Sequence, residues 1–105
     1  MPDQADKNDS EKIPVELVPA QFIEDIAKVL SHGAKKYERN NWTKGLPWTR
    51  IYGATLRHLY AWAKGEDNDP ESGEPHLIHA VCNLLFLSTW SKTRKENDDR
   101  FNYDI

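Results

Sequence analysis

The sequence has a single cysteine and no long hydrophobic run. The lone Cys82 excludes an internal disulfide framework and a cysteine-rich zinc finger. The longest apolar stretch, residues 77–90, is shorter than the roughly 20 residues that span a bilayer, and Asn83 interrupts it. The first twelve residues are polar and lack the apolar core of a secretory signal. We therefore expect a cytoplasmic protein that does not bind membranes.

An excess of positive charge is also missing. Lys and Arg number 14 against 17 Asp and Glu, which gives a net charge of −3, so duplex nucleic acid is not an expected partner. A chain of 105 residues forms one domain. The distribution of apolar residues predicts a flexible N-terminal arm over 1–13, a folded domain over 14–95 and a polar C-terminal tail over 96–105.

No segment alternates apolar and polar residues with the period of a strand. Instead, apolar residues recur with helical spacing in three segments, at about residues 19–37, 47–65 and 72–95. The first two begin at Pro19 and Pro47, and proline is favoured in the first turn of a helix. The prediction is an all-α fold, a small bundle of about three main helices.

The third predicted helix is apolar on nearly every face. Its apolar side chains are Leu77, Ile78, Ala80, Val81, Leu84, Leu85, Phe86 and Leu87. A helix of this kind must be buried nearly all round, and two other helices are too few to cover it. We therefore expect a homo-oligomer, a dimer or tetramer, in which a second copy completes the bundle.

Three polar residues interrupt this apolar helix on one narrow stripe: His76, His79 and Asn83. They either form structural hydrogen bonds to neighbouring helices or face a metal or phosphate group inside the bundle, and their alignment favours the second interpretation. His58 lies on the second helix. Taken alone, it is typical of a hydrogen-bonded core histidine rather than a ligand.

The segment between the second and third helices is acidic. Residues 66–74 contain five carboxylates, a pattern usually found in solvated turns. This segment joins the two histidine-bearing helices, however, so carboxylates and imidazoles could together hold a divalent cation. Glu66 and Asp69 are the candidate carboxylates.

A basic and aromatic segment lies between the first and second helices. Residues 35–50 carry Lys35, Lys36, Arg39, Lys44 and Arg50, interleaved with Tyr37, Trp42 and Trp48. Cations hold phosphates and aromatic rings stack on bases, so the segment could bind a nucleotide or single-stranded nucleic acid. The alternative is a basic helix end with tryptophans packed under a loop. Arg57 could likewise grip a phosphate or only coat its helix.

Several short motifs together resemble a known family. They are Gly33-Ala34-Lys35-Lys36-Tyr37, Asn41-Trp42, Lys44-Gly45, Arg57-His58-Leu59, Asp69-Pro70-Glu71-Ser72-Gly73, His76-Leu77, His79-Ala80 and Cys82-Asn83. Their order and spacing over about residues 13–90 resemble the phage-type dATP/dGTP diphosphohydrolase N-terminal domain. That family is similar to the MazG-like all-α nucleoside triphosphate pyrophosphohydrolases.

The resemblance implies an enzyme that cleaves a purine deoxynucleoside triphosphate to the monophosphate and pyrophosphate, with Mg²⁺ or Mn²⁺ as cofactor. MazG-like enzymes hold Mg²⁺ with acidic pairs on facing helices, whereas His76 and His79 stand where one such pair is expected here. Imidazole suits transition metals better than Mg²⁺. Glu38 occupies a position that is often Gly in the family, which suggests that the first helix continues past it.

The resemblance and the residue patterns together assign the site. The expected catalytic residues are Glu66, Asp69 and His79, and the expected metal ligands are Glu66, Asp69, His76 and His79. The expected substrate-binding residues are Lys35, Lys36, Tyr37, Arg39, Asn41, Trp42, Arg57, His58 and Asn83. The alternative function is a non-catalytic helical module that binds a nucleotide or single-stranded nucleic acid.

Overall fold

The computed structural model describes residues 3–102. Three α-helices form the body of the protein: α1 over Ala20–Lys36, α2 over Trp48–Ala63 and α3 over His76–Thr93. Short 3-10 helices lie at Val15–Leu17, Asn41–Lys44 and Lys95–Asn97. The described residues contain no β-strand, only one isolated bridge between Asn68 and Pro75. The predicted all-α fold is confirmed.

A proline immediately precedes each α-helix. Pro19, Pro47 and Pro75 have extended ψ angles between 130° and 136°, and the helical conformation begins at the next residue. Proline lacks the N–H that would have no intrahelical partner at a helix start. The sequence therefore located the start of each helix to within a few residues.

The end of α1 differs from the expectation drawn from Glu38. The helix ends at Lys36, and the backbone N–H of Tyr37 donates to the Gly33 carbonyl. Asn40 then adopts a left-handed conformation with φ of 61° and leads into the Asn41–Lys44 turn. The expected continuation of α1 past Glu38 is wrong because this turn redirects the chain, and asparagine tolerates left-handed backbone better than most residues.

Helix α3 is the centre of the fold, and α1 and α2 both pack against it. Val29, Ile78 and Cys82 form the buried cluster, together with the half-buried Ile26, Leu30 and Phe86. At the other end of α3, Trp90 is fully buried. Its indole N–H donates to the Trp42 carbonyl at 3.0 Å, so the Asn41–Lys44 turn is attached to α3.

The chain after α3 turns back onto the start of α2. The Asp99 carboxylate accepts hydrogen bonds from the backbone N–H and the hydroxyl of Thr49, at 2.9 and 2.6 Å. It thereby caps one of the backbone donors that have no partner within α2. The Arg100 guanidinium lies 5.0 Å from the centre of the Trp48 ring. The last part of the expected C-terminal tail, 103–105, and the first two residues of the expected arm lie outside the described residues.

The molecule is elongated and exposes many large apolar side chains. Its radius of gyration is 18.2 Å, against about 13 Å for a compact domain of this length. The most exposed of these side chains on the helices and the segment before α1 are Ile13, Val15, Leu17, Val18, Ile23, Tyr52, Tyr60, Trp62, Leu77 and Leu84. None of the helices described between residues 3 and 102 is long and apolar enough to cross a membrane.

Candidate active site

The loop between α2 and α3 brings the acidic residues to the histidines. Helix α2 ends in a glycine turn: Gly65 has φ of 103°, its N–H donates to the Trp62 carbonyl, and that of Glu66 donates to the Ala61 carbonyl. This pattern is the Schellman motif, in which a glycine takes the left-handed position. Glu66 is therefore directed back toward the start of α3.

The rest of the loop closes on itself through backbone hydrogen bonds. The Asp69 N–H donates to the Glu74 carbonyl at 2.8 Å, and the His76 N–H donates to the Asp67 carbonyl at 2.9 Å. The second bond joins the first residue of α3 to the residues that follow α2. As a result, side chains from α2, the loop and α3 meet in one place.

His58, His76 and Glu66 form a chain of hydrogen bonds. The Nδ1 atoms of His58 and His76 lie 2.8 Å apart. The other ring nitrogen of His76, Nε2, lies 2.6 Å from Glu66 Oε1. His76 is 4% exposed, whereas the Glu66 side chain is 51% exposed. A buried imidazole is thus held between a second histidine and a carboxylate.

His79 belongs to a second chain of contacts beside the first. Its Nε2 lies 2.7 Å from Ser72 Oγ and 3.7 Å from Asp69 Oδ2. Ser72 Oγ also accepts a hydrogen bond from the Glu74 N–H at 3.1 Å, and because a hydroxyl oxygen can accept two hydrogen bonds, the His79 Nε2–H can donate to it as well. The His79 ring also stacks on His58, with centroids 4.6 Å apart and planes within 3°.

Burial and neighbouring groups keep the imidazoles of His58 and His79 neutral and the carboxylate of Asp69 ionised. Burial, followed by His79 and His76, lowers the pKa of His58. Burial likewise lowers the pKa of His79, against the opposing effect of Asp69. For Asp69, burial would raise the pKa, but the hydrogen bonds that Ser72 donates, and the charge that His79 and His58 carry when protonated, outweigh it and lower the pKa. Neutral imidazoles and a carboxylate are the forms that bind metal ions.

Among the described residues, His58, Asp69 and His76 can together contact one cation, because their ligand atoms lie within 4.8 Å of one another. Two imidazole nitrogens and one carboxylate oxygen are a donor set typical of transition metals and zinc.

A cavity of about 980 Å³ opens beside this cluster, between α1, the Asn41–Lys44 turn and α3. His58, Asp69 and His79 line one part of it. Across the opening, the Lys36 ammonium donates to the Glu71 carboxylate at 2.9 Å, and both side chains are more than half exposed. The ion pair raises the pKa of Lys36 and lowers that of Glu71.

The other part of the cavity is aromatic. Trp42 and Phe86 stack with ring centroids 4.7 Å apart, and Phe86 in turn lies 5.9 Å from Trp90. All three residues belong to the cavity wall, in which Trp90 is itself fully buried. The cavity therefore has a polar end with histidines and an apolar end with aromatic rings, a division that suits an amphipathic ligand such as a nucleotide.

Comparison with known proteins identifies the family of the chain. A profile of the family described as dATP/dGTP diphosphohydrolase, N-terminal, matches residues 2–100. The chain belongs to this family. It is also 38% identical over 94 residues to a dATP/dGTP diphosphohydrolase of Salmonella phage PMBT28, a match that covers 90% of this chain and 32% of that relative. The chain thus spans about a third of the length of the curated relative it matches. No solved structure matches it.

Within this diphosphohydrolase family member, most of the residues predicted for the site lie together. The predicted residues that line the cavity are Lys35, Lys36, Tyr37, Arg39, Asn41, Trp42, His58, Asp69, His79 and Asn83. His76 and Glu66 are not among the residues described as lining the cavity; His76 contacts the cavity-lining His58, and Glu66 contacts His76. Arg57 is exposed on α2 and is not among the cavity-lining residues described.

The sequence analysis missed several residues that contact or line the site, and four of them bear on its chemistry. Ser72 bonds His79, Glu71 pairs with Lys36, and His32 and Phe86 line the cavity. Phe86 lies on the same stripe of α3 as His79 and Asn83, seven residues after His79. Helical spacing alone could therefore have predicted that Phe86 faces the site. Ser72 and Glu71 are brought to the site by loop closure, which spacing does not reveal.

Proposed function

We propose that this chain carries the nucleotide-binding and catalytic site of a metal-dependent deoxynucleoside triphosphate diphosphohydrolase. Its substrate would be a purine deoxynucleoside triphosphate, and its products the deoxynucleoside monophosphate and pyrophosphate. The observation that carries the proposal is the cavity itself, in which lysines and aromatic rings face the imidazole–carboxylate cluster. The printed name of the phage relative supports the substrate, although that protein is about three times as long.

The residues present fit a divalent cation. The Nδ1 atoms of His58 and His76 lie 2.8 Å apart, and the Asp69 carboxylate lies close enough to bind the same cation. We propose His58, Asp69 and His76 as ligands, and Mn²⁺ or another transition ion in preference to Mg²⁺ because two donors are nitrogens. When bound, such an ion lowers the pKa of an attacking water and neutralises phosphate charge.

The cationic residues would hold the phosphates. Lys35, Lys36 and Arg39 lie at the end of α1 and in the residues after it, and all three line the cavity. The ammonium of Lys36 would exchange its contact with Glu71 for a phosphate oxygen, since a half-exposed ion pair is weakly held.

The base and sugar would lie toward the aromatic end. Tyr37 and Trp42 offer ring faces for stacking, and Asn41 and Asn83 offer amide groups for hydrogen bonds. This orientation directs the triphosphate to the histidine end of the cavity.

His79 is the best-placed proton acceptor. It lines the cavity, burial lowers its pKa and so keeps its ring neutral near pH 7, and Ser72 holds its orientation. With its Nε2–H bonded to Ser72 Oγ, the neutral ring keeps its lone pair on Nδ1, which would take the proton of the water that attacks the α-phosphorus, after which pyrophosphate leaves.

The assembly and location of the enzyme are also proposals. We propose a homo-oligomer, a dimer or tetramer, because so many apolar side chains of the helices are exposed. We propose a cytoplasmic enzyme without duplex nucleic acid as a partner, with residues 14–95 as the folded unit between a flexible arm over 1–13 and a polar tail over 96–105.

The test is incubation of the chain with dGTP or dATP and Mg²⁺ or Mn²⁺, followed by chromatography of the products. We expect monophosphate and pyrophosphate in equal amounts. Asp69→Asn keeps an acceptor for the Ser72 N–H but removes the charge, and it should lower turnover by at least ~10–100-fold. Asp25→Asn, on α1 and away from the cavity lining, is the matched control and should retain full turnover.

The same assay decides between the two functions. Tight binding of the nucleotide without turnover in either metal would support the binding module instead. Tight binding of single-stranded oligonucleotide that weakens steeply with salt would point to nucleic acid as the ligand.

A further inference from the structure

Among residues 3–102, the contact of the Glu66 side chain with the site is a single hydrogen bond to His76. Glu66 lies three residues after the end of α2, and its Oε1 is 2.6 Å from His76 Nε2. That nitrogen is on the opposite side of the ring from Nδ1, which faces His58. Glu66 is not among the three residues whose ligand atoms cluster within 4.8 Å. Its carboxylate is therefore placed to act on His76, not on a cation held between His76 and His58.

The bond to Glu66 determines which nitrogen of His76 carries the proton. A carboxylate only accepts hydrogen bonds, so His76 Nε2 must carry the hydrogen that joins them. In a neutral imidazole the other nitrogen, Nδ1, then has a lone pair. His76 is 4% exposed and its backbone N–H is held by the Asp67 carbonyl, so the ring has little freedom to turn over.

We infer that Glu66 is a positioning residue, which acts through His76 to keep the Nδ1 lone pair directed at the cation site. The inference rests on the metal centre of the proposed function. Histidine ligands in metal sites commonly donate their second N–H to a carboxylate, which orients the ring and makes it a stronger donor. Glu66 thus orients a ligand of the metal centre and does not bind the cation itself, whereas the sequence analysis expected it to be a ligand.

The first measurement uses the metal-free wild-type protein. Long-range ¹H–¹⁵N correlation spectra report which imidazole nitrogen is protonated. We expect His76 with hydrogen on Nε2 and none on Nδ1. In Glu66→Ala the ring should populate both tautomers, whereas Glu66→Gln should be intermediate because its amide oxygen can accept the same bond. A wild-type His76 protonated on Nδ1 overturns the inference, whether or not the variants fold.

The second measurement is titration with Co²⁺, followed by absorption spectroscopy. Glu66→Ala should bind Co²⁺ about 10–100-fold more weakly, as is typical when an outer partner of a ligand is lost. Its spectrum at saturation should equal that of the wild type, because no ligand has been removed. Glu96→Gln, an exposed carboxylate after the end of α3, is the control and should leave the affinity unchanged.

Three results of the Co²⁺ titration also overturn the inference. They are an unchanged affinity in Glu66→Ala, a changed spectrum at saturation, which would make Glu66 itself a ligand, and a wild type that binds no Co²⁺. Only the last also removes the metal centre of the proposed function. Conversely, intact Co²⁺ binding with the expected tautomer but without any triphosphate hydrolysis refutes the proposed activity and leaves the role of Glu66 standing.

Discussion

Each imidazole in the site offers two nitrogens, and the partner of each nitrogen decides what the residue can do. His76 and His79 lie three residues apart on α3, and helical spacing correctly predicted that they share a stripe with Asn83. The structure nevertheless separates their roles: His76 faces His58 and Glu66, whereas His79 faces Ser72 and the cavity. Spacing along a helix predicts a shared face, but ring rotation and loop closure select the partner of each nitrogen.

Lys36 and Glu71 give a prediction at this scale. The ammonium of Lys36 is partly neutralised by Glu71, with which any phosphate must compete. Lys36→Ala should therefore weaken binding of a non-hydrolysable deoxynucleoside triphosphate, and Glu71→Gln should strengthen it by up to about fivefold, since exposed ion pairs are weak. Calorimetric titration in metal-free buffer measures both changes. Equal affinities for the two variants would show that this lysine does not contact phosphate.

Cys82 gives a prediction of pH dependence. The thiol is 1% exposed, and burial raises its pKa from the ordinary 9.0 to about 11. Because the folded pKa is above the unfolded one, folding favours the protonated thiol. The stability from this group is complete below about pH 9 and declines by about 2–3 kcal/mol as pH rises through 11.

Urea unfolding at pH 8, 9.5 and 11 measures this decline. Lysine and tyrosine also titrate in this range, so the change must be compared with that of Cys82→Ala. The variant is less stable at every pH because of the cavity it leaves, but its additional loss above pH 9 should be smaller than that of the wild type. Parallel losses in the two proteins would be inconsistent with a buried, protonated thiol.

At the scale of elements, local residue chemistry explains where the helices begin. Pro19, Pro47 and Pro75 precede the three helices. The sequence predicted the first two starts from their prolines, and it placed the third start at about residue 72, four residues early. The end of α1 was not predictable in the same way. Glu38 favours a helix, but the left-handed Asn40 and the attachment of the next turn to Trp90 override that local preference. Helix propensity, which is a local property of the sequence, does not predict tertiary contacts of this kind.

Two glycines at contrasting positions test this account of the elements. Gly45 has φ of 87°, and a Cβ there would lie 2.5 Å from Asn97 Nδ2. Gly33 lies within α1, with nothing within 4 Å of a Cβ. Gly45→Ala should destabilise the fold by at least about 1–2 kcal/mol, whereas Gly33→Ala should stabilise it by about 0.5–1 kcal/mol. Thermal unfolding measures both, and a change of the same sign in the two variants would contradict the structure.

At the scale of the whole molecule, the chain has a larger radius and more exposed apolar surface than a closed bundle of its length. The sequence indicated this excess of apolar surface, because α3 is apolar on nearly every face. In the structure the exposed apolar side chains extend to α1 and α2 as well, including Ile23, Tyr52 and Trp62. Helices α1 and α2 flank α3 with a cavity beside them, and the segment before α1 adds Ile13, Val15 and Leu17 to the exposed apolar surface.

Sedimentation equilibrium tests the oligomer that we propose to cover this surface. At micromolar concentration we expect a mass of at least two chains of 12.2 kDa. Leu84→Glu places a charge on the exposed face of α3, where Leu84 is 55% exposed, and should shift the distribution toward smaller species. A monomer throughout the micromolar range would mean that this surface is covered in another way or remains in water.

Hydrolysis in ¹⁸O-labelled water tests the central claim most directly, since it reports the bond that this chain cleaves. The chain is incubated with dGTP and Mn²⁺, and mass spectrometry locates the label in the products. Attack of water on the α-phosphorus predicts one ¹⁸O in the deoxynucleoside monophosphate and none in the pyrophosphate. Label in the pyrophosphate, release of inorganic phosphate, or no turnover by this chain would contradict the proposed function.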